Sequence, residues 1–150
     1  MSTGDWSRWQ FLMGEWVGEG TGEPGEGTGG FTFALDSQDQ ILVRKNFALY
    51  PATTDRPAFR HDDLLIIYQQ GDATRATYYD NEGHVISYRV AFSANERGVI
   101  FVSEAVPSEP RFRLTYEKEG EATVSIRFEI APPGKLDEFA TYINARAHRK

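Results

Sequence analysis

The sequence predicts an all-β protein: a single antiparallel, up-and-down barrel of about ten strands, with a short N-terminal helix plugging one end. Three observations carry this prediction. Aromatic residues make up 13% of the 150 residues, a composition suited to a sheet whose interior is lined by rings. Short runs of β-branched and aromatic residues recur from Phe31 to the C-terminus, divided by Gly, Asn, Asp and Pro turn signals. No helical period of useful length interrupts them, and a meander of about ten strands leaves two exposed edges unless it closes on itself.

The length fits one domain over residues 1–150, long enough to bury roughly two thirds of its unfolded surface. At the N-terminus, Trp6, Trp9, Leu12 and Met13 fall at separations of three and four, the spacing of one helical face. Ser2, Thr3 or Asp5 is available as a cap. For so short a piece, an irregular arm packing its tryptophans is the open alternative.

Gly14 breaks that helix, and Glu15 to Thr21 runs extended behind Trp16, the expected floor of the barrel. Two copies of GEGTG follow, Gly18 to Gly22 and Gly25 to Gly29, hinged on Pro24. Glycines at alternate positions strip one strand face and let another backbone approach closely. A phosphate-binding loop would need a helix next, whereas FTFALD favours a strand.

The remaining strands are predicted as Phe31 to Leu35, Gln40 to Tyr50, Asp62 to Gln69, Thr74 to Tyr79, Val85 to Phe92, Gly98 to Ser103, Arg111 to Glu117, Ala122 to Ile130 and Glu138 to Ala147. Short turns join them, which forces antiparallel neighbours. The one long connection, Pro51 to Arg60, is either a surface loop or a lid. The long Gln40 to Tyr50 strand is the candidate for pairing two barrels into a homodimer.

Alternation identifies the inner face. Phe112, Leu114 and Tyr116 oppose Arg111, Arg113 and Thr115; Val124, Ile126, Phe128 and Ile130 oppose Thr123, Ser125, Arg127 and Glu129. Ile86, Tyr88, Val90 and Phe92 face in by the same rule, with His84 on their side at the strand mouth, and Phe139, Thr141, Ile143 and Ala145 follow in the last strand. The Gln40 to Tyr50 strand is ambiguous, since Arg44 and Asn46 share one face with Leu42 and Ala48. If they point inward, the barrel holds a polar group that must be paired.

About ten strands enclose more room than side chains comfortably fill, so an internal cavity is expected. Tyr68, Tyr78, Tyr88, Tyr116 and Tyr142 can offer hydroxyls to an apolar pocket, or cover the barrel ends with hydroxyls in water. The candidate ligand-binding residues are Trp16, Arg44, Asn46, Tyr68, Tyr78, His84, Tyr88, Phe92, Phe112 and Phe128.

A net charge of −6 with scattered basic residues disfavours nucleic acid as a partner. The absence of cysteine excludes disulfides and thiolate catalysis. With no secretory signal and no apolar segment near the ~20 residues that cross a bilayer, a cytoplasmic protein without a membrane partner is the expectation. His61, His84 and His148 share no ligand spacing, so no metal is expected. No G-x-S-x-G elbow is present. Asp62 and Asp63 face opposite sides of a strand, and Asp80 with Glu82 sits in a turn suited to Asx-type bonding.

The opening FLMGEWVGEGTG, with Gly14, Trp16, Gly18 and Gly20 as G-x-W-x-G-x-G, resembles the lipocalin-like (calycin) barrels, especially bacterial nitrobindin-like and related uncharacterised domains. The turn Tyr79-Asp80-Asn81-Glu82-Gly83 is similar to a mid-chain turn of those relatives. The resemblance implies a cavity for a small apolar molecule or, as in nitrobindins, haem held by a histidine near the C-terminus. His148 is the histidine so placed, although its parity points it away from the cavity. The leading expectation is therefore binding of a small apolar or aromatic ligand inside the barrel, with Arg44 and tyrosine hydroxyls orienting a carboxylate or carbonyl, and no cofactor. The alternatives are an enzyme using His84 as acid or base in the same cavity, and haem binding through His148.

Overall fold

The structure is a computed structural model and describes residues 5–19 and 28–150. Ten antiparallel strands close into one barrel: β1 (Gly14–Gly18), β2 (Thr28–Asp36), β3 (Ile41–Tyr50), β4 (Phe59–Gln70), β5 (Ala73–Asp80), β6 (Val85–Phe92), β7 (Gly98–Ser103), β8 (Arg111–Lys118), β9 (Thr123–Ala131) and β10 (Ala140–Arg149). Each strand pairs with its neighbours in sequence, and β1 closes the ring on β10. β3 is bonded to β2 and to β4 along its whole length, so it has no free edge with which to join a second barrel. No described helix is long and apolar enough to cross a membrane.

The N-terminal helix is a 3-10 helix, Ser7–Leu12. Three residues per turn stack positions i and i+3, which puts Trp6, Trp9 and Leu12 on one side, and all three are buried. Asp5 Oδ1 accepts the Ser7 N–H at 3.0 Å; Ser2 and Thr3 lie outside the described residues. Gly14 ends the segment at φ +102°, a left-handed backbone open to glycine.

Trp6 Nε1 donates to Asp39 O at 2.8 Å. That bond ties the helix to the β2–β3 turn, where Ser37, Gln38 and Asp39 run consecutively at φ 51°, 54° and 65°. Left-handed backbone costs non-glycine residues about 1–2 kcal/mol each, so the tryptophan clamp offsets strain in the turn it caps. Trp9 meets Phe92 edge-on at 5.0 Å. The helix thus plugs the barrel end that carries the β2–β3, β4–β5, β6–β7 and β8–β9 turns.

Behind the plug the interior is filled by rings. Phe33 and Phe31 lie edge-on to Tyr116 at 5.4 and 5.5 Å; Phe101 meets Tyr88 at 6.1 Å and Tyr116 at 6.3 Å. Trp16 stacks on Phe31 at 6.0 Å, donates Nε1 to Leu12 O at 2.9 Å, and carries Arg149 over its ring at 4.4 Å. It closes the seam between helix and barrel, the flooring role its position suggests.

The glycine segment is described only at its ends. Gly20, Gly22 and the Pro24 hinge lie outside the described residues. A Cβ on Gly29 would meet Phe47 O at 2.2 Å and one on Gly30 would meet Trp16 O at 2.5 Å. Here the glycines permit close backbone approach across β1, β2 and β3.

The predicted parity holds on β6, β8 and β9, and β3 turns Leu42, Arg44, Asn46 and Ala48 inward. β10 departs from it. A bulge between Thr141 and Ile143 pairs Thr141 with Glu129 on the outer face and Ile143 with Phe128 on the inner. Phe139 consequently packs outside, 4.1 Å from the Arg113 guanidinium, so Phe139 and Thr141 do not line the interior as alternation predicts. One extra residue reverses the parity of everything before it.

Candidate functional site at the open mouth

The two halves of the barrel differ in what their inward side chains meet. In the plugged half, Leu42, Leu65, Val99 and Phe101 are all 0% exposed. In the other half, the inward Asn46, His61, Tyr78, Ile86, Phe112 and Phe128 are only half-buried, and inward Ile143 is 45% exposed. Solvent therefore enters the barrel from this end. The exposed large apolar residues of the described chain, Phe47, Leu49, Phe59, Tyr79, Val85, Val106, Tyr142 and Ile143, all lie around it.

Arg44 sits at the base of this mouth, 4% exposed, on the inner face of β3. Its Nη1 donates to the Tyr116 hydroxyl at 2.9 Å, and its Nη2 pairs with Asp63 Oδ1. The other Asp63 oxygen, Oδ2, accepts from Asn46 Nδ2 at 2.9 Å and lies 2.9 Å from His61 Nε2. Arg44 and Asp63 come from adjacent strands, β3 and β4, and reach each other because both side chains point into the same interior.

From Asp63 the polar chain climbs to the rim. The Tyr78 hydroxyl lies 3.4 Å from His61 Nε2 and donates to Asp80 Oδ2 at 3.0 Å. Asp80 Oδ2 also faces His84 Nδ1 at 2.9 Å, while its Oδ1 accepts the backbone N–H of Glu82 at 2.9 Å and of His84 at 3.0 Å. Burial alone would raise the Asp80 carboxyl, but these donors outweigh it and hold the group down to about 2. Burial, reinforced by the bond to Asp80, pushes the Tyr78 hydroxyl up. Burial likewise raises Tyr88, against the opposing pull of Arg44. Both phenols are neutral donors over the whole working range of pH.

The sequence-predicted residues separate into three groups. Arg44, Asn46 and Tyr78 converge in the polar chain, and Phe112 and Phe128 stack at 5.8 Å as its apolar wall. Trp16, Tyr88 and Phe92 are inward but belong to the packed half. Tyr68 and His84 are not in the interior: Tyr68 shares the outer face of β4 with Leu64 and Ile66, opposite Arg75, and the His84 side chain is 63% exposed on the rim. An acid or base inside the barrel is therefore not supplied by His84, because the turn after β5 lifts it above the mouth. Tyr142, on the β10 bulge, is 71% exposed.

His148 lies on the outer face of β10, its Nδ1 3.6 Å from Glu19, and does not offer its ring to the interior. Among the described residues, no three His, Asp or Glu side chains are placed to hold a metal ion. The carboxylate pairs behave as their spacing suggests. Asp62 faces out and accepts from Arg60 Nε at 2.9 Å, while Asp63 faces in.

Sequence reasoning missed His61, Asp63 and Asp80 as site residues. His61 and Asp63 share the parity of Leu65 and Ile67, and Asp80 that of Tyr78, but Leu64 and Ile66 make the other face of the strand equally apolar, so alternation alone did not point to them. β4 begins at Phe59, three residues before its predicted start, and that truncation removed His61 from the strand.

No family model matches the sequence, and no curated protein matches it. Among solved structures, the chain is similar to Tp0751 (Pallilysin) of Treponema pallidum, with a TM-score of 0.39 and 13% identity over 95% of this chain and 80% of that one. A likeness at that level carries no argument about this protein. The protein is a closed ten-stranded antiparallel β-barrel with a 3-10 helix packed at one end.

Proposed function

We propose that the open half of the barrel binds a small, mostly apolar molecule carrying a neutral hydrogen-bond acceptor, and holds that acceptor against Arg44 and Tyr116. The observation that carries this reading is a buried Arg44–Asp63 pair at the base of a solvent-reached, apolar-walled mouth. Buried ion pairs seldom stabilise a fold better than apolar side chains of similar volume. A recognition role accounts for one placed where a ligand can reach it.

The spare hydrogen-bonding capacity indicates the chemical class. Asp63 has both oxygens engaged, by Arg44, Asn46 and His61. Arg44 Nε is buried without a hydrogen-bond partner, and the Tyr116 hydroxyl, which accepts from Arg44, keeps its own hydrogen to donate. Free donors ask for an acceptor, and Asp63 already balances the arginine's charge. A ketone, ester, amide or ether oxygen therefore suits the site, which favours the carbonyl over the carboxylate among the two classes expected from the sequence. Gly14, Trp16 and Gly18, together with the plugging helix, support placing this barrel among the lipocalin-like domains.

Nile red, a neutral aromatic ketone whose emission shifts in apolar surroundings, tests the reading. The expected result is saturable, blue-shifted binding that falls at least tenfold in Ile143→Arg, which sets a charged side chain across the mouth. Unsaturable binding, or binding unchanged in that variant, overturns it.

A further inference from the structure

At the plugged end, away from the mouth, β5 and β6 place two arginines directly opposite each other. Arg75 and Arg89 are register partners on the outer face, since their neighbours Ala76 and Tyr88 are the inward pair. Like charges so opposed repel and destabilise a sheet. Relief by carboxylates is one-sided: Arg75 pairs with Glu104 at 3.8 Å, whereas Arg89 has no carboxylate within 4.0 Å among the described residues.

The pair borders a groove of about 460 Å³ between the strands and the helix. Ala73 and Ala91 line it next to the arginines, and Gln69, Thr74 and Arg8 are among its polar residues. Three arginines and two aspartates, Asp5 and Asp72, line it; Arg8 pairs with Glu96 at 3.6 Å and Arg75 with Glu104 at 3.8 Å, which leaves Arg89 as the arginine without a carboxylate within 4.0 Å among the described residues. The Asp5 carboxylate is already committed to the Ser7 N–H.

We propose that this groove is a binding site for a phosphate group, held between Arg75 and Arg89. A doubly charged, multidentate oxyanion accepts from two guanidinium forks at once and converts their repulsion into attraction. Inorganic phosphate, a soluble phosphate ester and a phosphorylated lipid headgroup present the same chemistry to the site. The site is separate from the mouth, and phosphate binding does not depend on it.

The probe is inorganic phosphate, titrated at constant ionic strength against chloride while the arginine Nε–H resonances are followed by NMR. Saturable shifts at Arg75 and Arg89 are expected, with the affinity read at the remaining arginine weakened at least tenfold in Arg75→Gln and in Arg89→Gln, and unchanged in Ile143→Arg. Without phosphate, Arg89→Gln should melt at or above the wild-type temperature, because repulsion has been removed. Flotation with phosphatidylcholine vesicles containing phosphatidic acid then separates the sources: arginine-dependent co-flotation assigns a lipid headgroup, and its absence a soluble phosphate. Shifts that do not saturate, an affinity unchanged at the remaining arginine in either single variant, or an Arg89→Gln protein that melts lower without phosphate would overturn the proposal.

Discussion

The plugged half and the open half of this barrel use the same strands to opposite ends. Near the helix, inward positions hold large rings in edge-to-face contact, with Trp9 1% exposed and Phe33 1% exposed. Near the mouth, the same strands, two to four residues further along, present Asn46, His61, Asp63, Tyr78 and Asp80 beside Phe112 and Phe128. Ten strands enclose a wide interior. One end answers that width with aromatic volume, and the other leaves it accessible and wires it with hydrogen bonds. Stability should therefore concentrate at the first end and recognition at the second.

Substitutions at the two ends can break this division. The largest loss is expected at the plug: Trp9→Ala should cost about 4 kcal/mol in urea unfolding, since a buried indole leaves a cavity the strands cannot collapse into. A loss below 1 kcal/mol would show that the helix is dispensable. Next comes Asp63→Asn, which leaves the Arg44 charge buried without its counterion and should cost about 3 kcal/mol. The double variant Arg44→Met/Asp63→Leu should recover most of that stability while losing Nile red binding. Recovery of both would assign the pair a purely structural role.

Acid unfolding sharpens the contrast further up the chain. Asp80 is held at about 2 against an ordinary 3.8, so its ionised form favours the folded state. That contribution is complete above the ordinary value and disappears as pH falls from about 4 towards 2. Asp80→Asn should cost about 2 kcal/mol at neutral pH and flatten the stability curve across that window. An unchanged acid limb would mean that other carboxylates govern it. The smallest effect belongs to Ile143→Arg, within about 0.5 kcal/mol of wild type because the side chain is already 45% exposed. This substitution should silence binding without weakening the fold.

Most of the architecture was legible in the sequence because strand alternation is a local property. Val85–Phe92 and Gly98–Ser103 occur with the boundaries their residues predict, and the i, i+3 tryptophans mark the plug. The errors arose where locality fails. The β10 bulge turned Phe139 and Thr141 outward, and no composition signal distinguishes a bulged residue from a paired one. Tyr68 was assigned by residue type on a strand whose two faces, Asp62, Leu64 and Ile66 against Asp63, Leu65 and Ile67, carry the same residue types, so alternation could not tell inside from outside.

The site was half legible. Arg44 and Asn46 announced a problem, two polar side chains that need partners if they face inward, and pairing required that some partner exist. Its identity depended on register. Asn46 lies opposite Asp63, and Asp63 opposite Asp80, only because β3, β4 and β5 meet with those offsets.

The sequence by itself determined the all-β class, the order of the strands, the aromatic plug and most of the inner face, since each follows from residue spacing along one segment. The tertiary structure alone decided which end stays open, that Asp63 neutralises Arg44, and that Arg75 stands against Arg89. Each of these depends on the register between strands, and register is set when the ring closes and every inward set must fit one shared interior.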